Sequence, residues 1–100
     1  MKQNILLVDD DTAVLELLKD FLVDKEFNVI TAKNGEDALG KYGDNFNGIV
    51  ISDLDMPVMD GIELLKRLKK KDTDCIGIIL TGHGTMETCT KSLGYRVACW

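Results

Sequence analysis

No apolar run in the sequence is long enough to cross a bilayer. Its first residues, Met1-Lys2-Gln3-Asn4, lead straight into a strand-like segment, without the apolar stretch and cleavage site of an export signal. Cysteines are few: Cys75, Cys89 and Cys99 form no Cys-x-x-Cys pair. An odd, scattered count without an export signal implies reduced thiols in a cytoplasm. Basic clusters are scarce too. The one basic run, residues 66–71, reads as the solvated end of a helix. With 12 Lys+Arg against 17 Asp+Glu the net charge is -5, which argues against direct nucleic-acid binding. There is no linker, internal repeat or low-complexity stretch. What is present is 100 residues, 45% hydrophobic and 29% charged. That composition and length suit a single globular domain over 1–100 with one core.

The hydrophobic pattern alternates between two periods. Ile5-Leu6-Leu7-Val8 is continuously apolar and ends in Asp9-Asp10-Asp11. A continuous run implies burial on both faces, as in a parallel sheet. Val14, Leu15, Leu18, Phe21 and Leu22 then form a helical stripe, with Asp11 or Thr12 as the N-cap. Residues 27–31 predict a second strand and residues 34–42 a weaker helix capped by Asn34. Residues 48–52 predict a third strand ending at Asp53. Asp60 caps the next helix, with Glu63 at the capping-box position and Ile62, Leu65 and Leu68, with Leu64 alongside, as its buried stripe. A fourth strand spans 75–80 and ends at Thr81. Gly82-His83-Gly84 is a turn, and 85–93 a short helix. Four β-α repeats with short connections predict an α/β fold, a doubly wound parallel sheet with helices on both faces.

In open α/β sheets ligands bind beyond the carboxyl ends of the strands, where the strand order reverses. Those ends carry Asp9 and Asp10, Asp53 and Thr81. If strands one and three are neighbours, three carboxylates converge. Their mutual repulsion raises the cost of ionising all three. A hard divalent cation such as Mg²⁺ resolves it, taking one or two carboxylates and a phosphate. The remaining carboxylate can serve as a nucleophile, so the pattern suits phosphoryl transfer through an aspartyl-phosphate. Asp11 and Asp60 read as helix caps only, His83 as an exposed loop residue and Cys75 as a small core hydrophobe.

Three segments in order, Ile5-Leu6-Leu7-Val8-Asp9-Asp10-Asp11, Asp53-Leu54-Asp55-Met56-Pro57-Val58-Met59-Asp60-Gly61 and Leu80-Thr81-Gly82-His83-Gly84, resemble the receiver (CheY-like) domain of bacterial two-component response regulators. The resemblance covers residues 1–88; 89–100 diverge. It implies a flavodoxin-like receiver fold with sheet order 2-1-3-4-5. Asp53 would be the phosphoacceptor. Metal ligands would be Asp9, Asp10, Asp53 and the backbone carbonyl of Asp55, holding Mg²⁺. Thr81 would be the switch hydroxyl, Gly82 would leave room above the acceptor, and Pro57 and Gly61 would shape the loop after it. The partners implied are a sensor histidine kinase and an unidentified output protein, in a cytoplasmic phosphorelay with no membrane contact. A phosphoacceptor of this kind is not itself an enzyme.

The end of the sequence departs from that pattern. A complete receiver has a fifth strand and fifth helix and a Lys-Pro after strand five. Here Arg96-Val97-Ala98-Cys99-Trp100 follows Tyr95, and no Lys follows Lys91. Most of the fifth strand and the fifth helix are therefore expected to be missing, with 95–99 at most a remnant strand. The expected consequence is an exposed strand-four edge over 75–80, inviting a homodimer through that edge. Two rival functions remain open at this point: a non-phosphorylated binding module (pseudo-receiver), and an aspartyl-phosphate phosphatase with Asp55 as second acid.

Overall fold

The computed structural model describes residues 3–43, 46–81 and 96–99. The described elements run β1 (Asn4–Val8), α1 (Thr12–Asp24), β2 (Asn28–Ala32), α2 (Gly35–Lys41), β3 (Gly48–Asp53), α3 (Gly61–Lys71), β4 (Ile76–Thr81) and β5 (Arg96–Cys99). Each helix begins where a short polar side chain accepts a hydrogen bond from a first-turn N–H. Asp11 accepts from Ala13 at 3.0 Å, Asn34 from Asp37 at 2.7 Å and Asp60 from Glu63 at 2.8 Å. Only half of the expected capping box forms, because the Glu63 carboxylate accepts from Arg67 at 3.2 Å instead. Lys69, Lys70 and Lys71 close the last turn of α3, where cations favour the helix dipole.

The five strands are parallel in the order β2-β1-β3-β4-β5. Chain direction along the sheet reverses at β1, so the switch point lies between β1 and β3. Leu6, Val8, Val50 and Ile79 pack one face against Leu64, Leu65 and Leu68 of α3 and Ala38 of α2. Ile5 and Leu7 pack the other against Leu15 of α1, with Leu18, Leu22 and Ile51 alongside. Cys75, at 3% exposure, sits in the first core as expected. Met56 and Met59, both in the loop that follows β3, belong to it as well.

The remnant strand forms. Arg96 to Cys99 pair with Ile78 to Thr81 along β4. This corrects the expectation of an exposed strand-four edge: the ladder groups of β4 bond to β5, so β4 is an inner strand. Edge pairing of two chains through residues 75–80 loses its premise. The turn at Gly82-His83-Gly84, the helix over 85–93, and Met86 and Trp100 lie outside the described residues.

Candidate functional site

β1 and β3 are neighbours, and Val8 stands opposite Ser52. The next residue on each, Asp9 and Asp53, therefore emerges side by side at the carboxyl edge of the sheet. Asp10 follows at once. One carboxylate oxygen from each of Asp9, Asp10 and Asp53 lies within 4.8 Å of the other two. Asp9 is buried, Asp53 half-buried and Asp10 exposed.

The backbone fixes two of these groups. Asp9 donates its N–H to the carbonyl of Ala32 at 3.1 Å, and its carboxylate accepts from the Asp11 N–H at 2.9 Å. The Ser52 hydroxyl, fully buried, donates to the Asp53 carbonyl at 2.9 Å. Leu54 donates to the Leu80 carbonyl at 3.2 Å, and Gly61 to the Leu54 carbonyl at 3.0 Å. A Cβ at Gly61 would run into the Asp53 carbonyl oxygen. Only glycine lets α3 start this close to the end of β3, which is why the loop from Asp53 to Gly61 folds back tightly.

Crowding and burial act on the carboxylates in the same direction. Desolvation pushes Asp9 up to about 6, with help from the Asp53 and Asp10 charges and against the Asp11 N–H. Burial also raises Asp53, opposed by backbone N–H groups of Asp55 and Leu54 and reinforced by the Asp55 and Asp10 charges. Three hard oxygen donors this close together form a donor set suited to a small divalent cation.

The other expected site residues are placed as follows. Asp55 is exposed and its carboxylate is not part of the three-acid group. Thr81 ends β4 one residue beyond Leu80, which stands opposite Asp53. Its backbone thus reaches the same sheet edge. Gly82 and His83 lie outside the described residues. Arg96 stands opposite Ile78, three residues short of Thr81 on the neighbouring strand, so its backbone is about 10 Å from the carboxyl edge.

Two features escaped sequence reasoning. One is the buried Ser52 hydroxyl on the acceptor strand, which looks like any small strand residue in the sequence. The other is Val58, which holds φ 70 in the loop after Asp53 with its side chain fully exposed. A β-branched residue in the left-handed region is an outlier that no local pattern announces. A cavity of about 480 Å³ lies away from the acids, between α1 and α2, lined by Lys19, Lys33, Asp37 and Lys41 among others. Within it Lys41 already pairs with Asp37 at 3.3 Å and donates to the Thr31 carbonyl at 2.6 Å.

The fold and site together define a class: doubly wound α/β domains with three carboxylates at the switch point of the sheet. The chain belongs to the response regulator receiver domain family, whose model matches residues 5–98. It is similar to the "probable transcriptional regulator ycf29" of Porphyra purpurea, 35% identical over 102 residues. That match covers 100% of this chain and 48% of the relative. The chain thus spans about half the length of that curated relative, and smaller shares of several others. Among solved structures, the chemotaxis protein CheY4 of Vibrio cholerae aligns with a TM-score of 0.89 at 27% identity, covering 100% of this chain and 86% of that one. A CheX–CheY–BeF3–Mg²⁺ complex from Borrelia burgdorferi aligns at 0.87 and 30% identity, covering 98% and 78%.

Proposed function

We propose that the chain is a single receiver unit that takes a phosphoryl group onto Asp53 from a phosphohistidine of a sensor histidine kinase. The observation that carries this reading is the convergence of Asp9, Asp10 and Asp53 within 4.8 Å. One Asp53 oxygen attacks the phosphorus in line, the O–P bond forms as the P–N bond breaks, and the freed imidazole takes up a proton. Asp9, Asp10, the other Asp53 oxygen and the Asp55 carbonyl would hold Mg²⁺. When bound, that ion neutralises charge on the carboxylates and the phosphoryl oxygens. The Asp11 N–H orients Asp9, the Ser52 hydroxyl holds the Asp53 carbonyl, and the Gly61 N–H holds the carbonyl of the next residue, Leu54. The Thr81 hydroxyl is the switch group, turning toward the phosphoryl oxygens and biasing the loops after β3 and β4. The Mg²⁺ and BeF3 of the Borrelia complex and the regulator names of the relatives support this reading.

The unit acts as a phosphoacceptor, not a turnover enzyme, in a cytoplasmic relay, and its output passes through contacts with another protein or domain. Intact-mass measurement after incubation with a small phosphodonor and Mg²⁺ tests the assignment. The wild type should gain one phosphoryl group and Asp53→Asn none, with the fold retained. Equal gain in both would refute Asp53 as the acceptor. No gain in either would favour a binding module without phosphorylation.

A further inference from the structure

β2 is an outermost strand of the sheet, so one side of its backbone has no strand to pair with. Toward β1, Asn28 donates to the Gln3 carbonyl at 3.0 Å, and the Ala32 carbonyl accepts from the Asp9 N–H at 3.1 Å. The N–H and C=O of one residue in a parallel strand point to the same side, and successive residues alternate. Residues 28, 30 and 32 therefore face β1, and 29, 31 and 33 face outward.

At the carboxyl end of β2 the outward groups are met by α2. The Thr31 carbonyl accepts from Lys41 Nζ at 2.6 Å, and the Lys33 N–H donates to Asp37 Oδ2 at 3.2 Å. In a parallel ladder one residue of a neighbouring strand would donate to the first group and accept from the second. A cation and a carboxylate take those two roles here, and they lie 3.3 Å from each other. Asp37 is itself anchored, its N–H donating to the Asn34 side chain at 2.7 Å. An exposed i,i+4 pair contributes little on its own. The pair of Arg67 with Glu63 on α3 has the same spacing, at 3.2 Å, and among the described residues neither side chain bonds to a strand.

The Lys33 N–H and the Ala32 carbonyl belong to one peptide group, which is planar and stiff. The Asp37 carboxylate holds one side of that group and the Asp9 N–H the other. A single peptide plane thus separates α2 from the backbone of Asp9, whose buried carboxylate belongs to the three-acid cluster.

We propose that Asp37 and Lys41 are positioning residues of the acid cluster, clamping the end of β2 so that the Ala32 carbonyl holds Asp9 in register with Asp53. The clamp is a matter of geometry in the metal-free chain; its consequence for Mg²⁺ rests on the receiver reading above.

Amide hydrogen exchange of the metal-free chain, read by NMR, and Mg²⁺ titration calorimetry test this together. Asp37→Ala and Lys41→Met should each speed exchange at the Asp9 amide roughly tenfold more than at Leu6, in the middle of β1. Each should also weaken Mg²⁺ binding roughly three- to tenfold, less than the loss of a direct outer partner of a ligand. Lys41→Arg, which keeps a cationic N–H donor for the Thr31 carbonyl, should restore both readouts. Arg67→Ala, which breaks the matching pair on α3, should change neither. Both clamp side chains reach solvent, so the variants keep the fold; the Lys41 variant decides if Asp37→Ala, in the first turn of a short helix, does not. An Asp9 amide that exchanges no faster relative to Leu6 overturns the proposal, and so does an equal effect of Arg67→Ala. A wild type that binds no Mg²⁺ sinks the receiver reading, while exchange at Asp9 still decides the clamp.

Discussion

Replacing Asp9 with Asn should stabilise the metal-free protein at neutral and alkaline pH, and the gain should vanish in acid. Asp9 is buried at 6% exposure, and its carboxyl is pushed up to about 6 from 3.8. The native state therefore holds its proton more tightly than the unfolded chain does. Where the native state binds more protons, stability falls as pH rises. The Asp9 contribution is fully present below pH ~4 and is lost as pH passes through ~6. A shift of about two units corresponds to roughly 3 kcal/mol. Relaxation and water at the exposed Asp10 side reduce this to about 1–3 kcal/mol. Asn keeps an oxygen to accept the Asp11 N–H and cannot ionise. Urea denaturation in chelator at intervals from pH 4 to pH 8 should show the variant about 1–3 kcal/mol more stable at the alkaline end and level with wild type at the acid end. Taking the difference between the two proteins removes the opposite trend from Asp37 and Asp72, whose carboxyls are lowered by hydrogen bonds and contribute stability that is lost in acid. A gain that does not change with pH, or no gain at pH 8, would refute the claim that burial and crowding strain this carboxylate. Adding Mg²⁺ should shrink the variant's advantage, because an ion at 100 times its Kd stabilises the wild type by about 2.7 kcal/mol and a more weakly binding variant by less.

Further outcomes follow from the same geometry. Mg²⁺ affinity, read by titration calorimetry, should fall more in Asp10→Asn than in Asp9→Asn, since the exposed Asp10 is the freer to ligate directly; the reverse order would exchange their roles. Val58→Asn should raise the unfolding free energy by roughly 1 kcal/mol, read as a higher denaturation midpoint with unchanged m, since it relieves left-handed strain and removes no buried contact. Gly77→Ala should destabilise by about 1–3 kcal/mol, because its Cβ would meet Leu65 Cδ2 at 2.5 Å in the packed face under α3; thermal melting checks it. Arg96→Ala should leave phosphodonor-dependent mass gain unchanged, since its strand position lies three residues short of the site edge.

Strands β1, β3 and β4 were legible because burial on both faces of a parallel sheet leaves an unbroken apolar run, as in Ile5-Leu6-Leu7-Val8. The caps Asp11, Asn34 and Asp60 were legible because their hydrogen bonds are local, spanning two or three residues. The acids at the strand ends could be named for the same reason: the run stops where the carboxylates begin. Their convergence was legible only through the family resemblance and its sheet order, since it depends on β1 and β3 being neighbours, a pairing across more than forty residues of chain. The closing of β4 by residues 96–99 is likewise a long-range pairing, and a four-residue run carries too little pattern to announce it. Val58 shows the limit from the other side. Its left-handed φ, in the loop between β3 and α3, runs against the preference of the residue itself. The unequal cover of the two sheet faces is also a tertiary fact. Ile76 and Ile79 look alike in the sequence, yet one is 49% exposed and the other fully buried, because alternation along a strand sends them to opposite faces and only packing decides which face is filled.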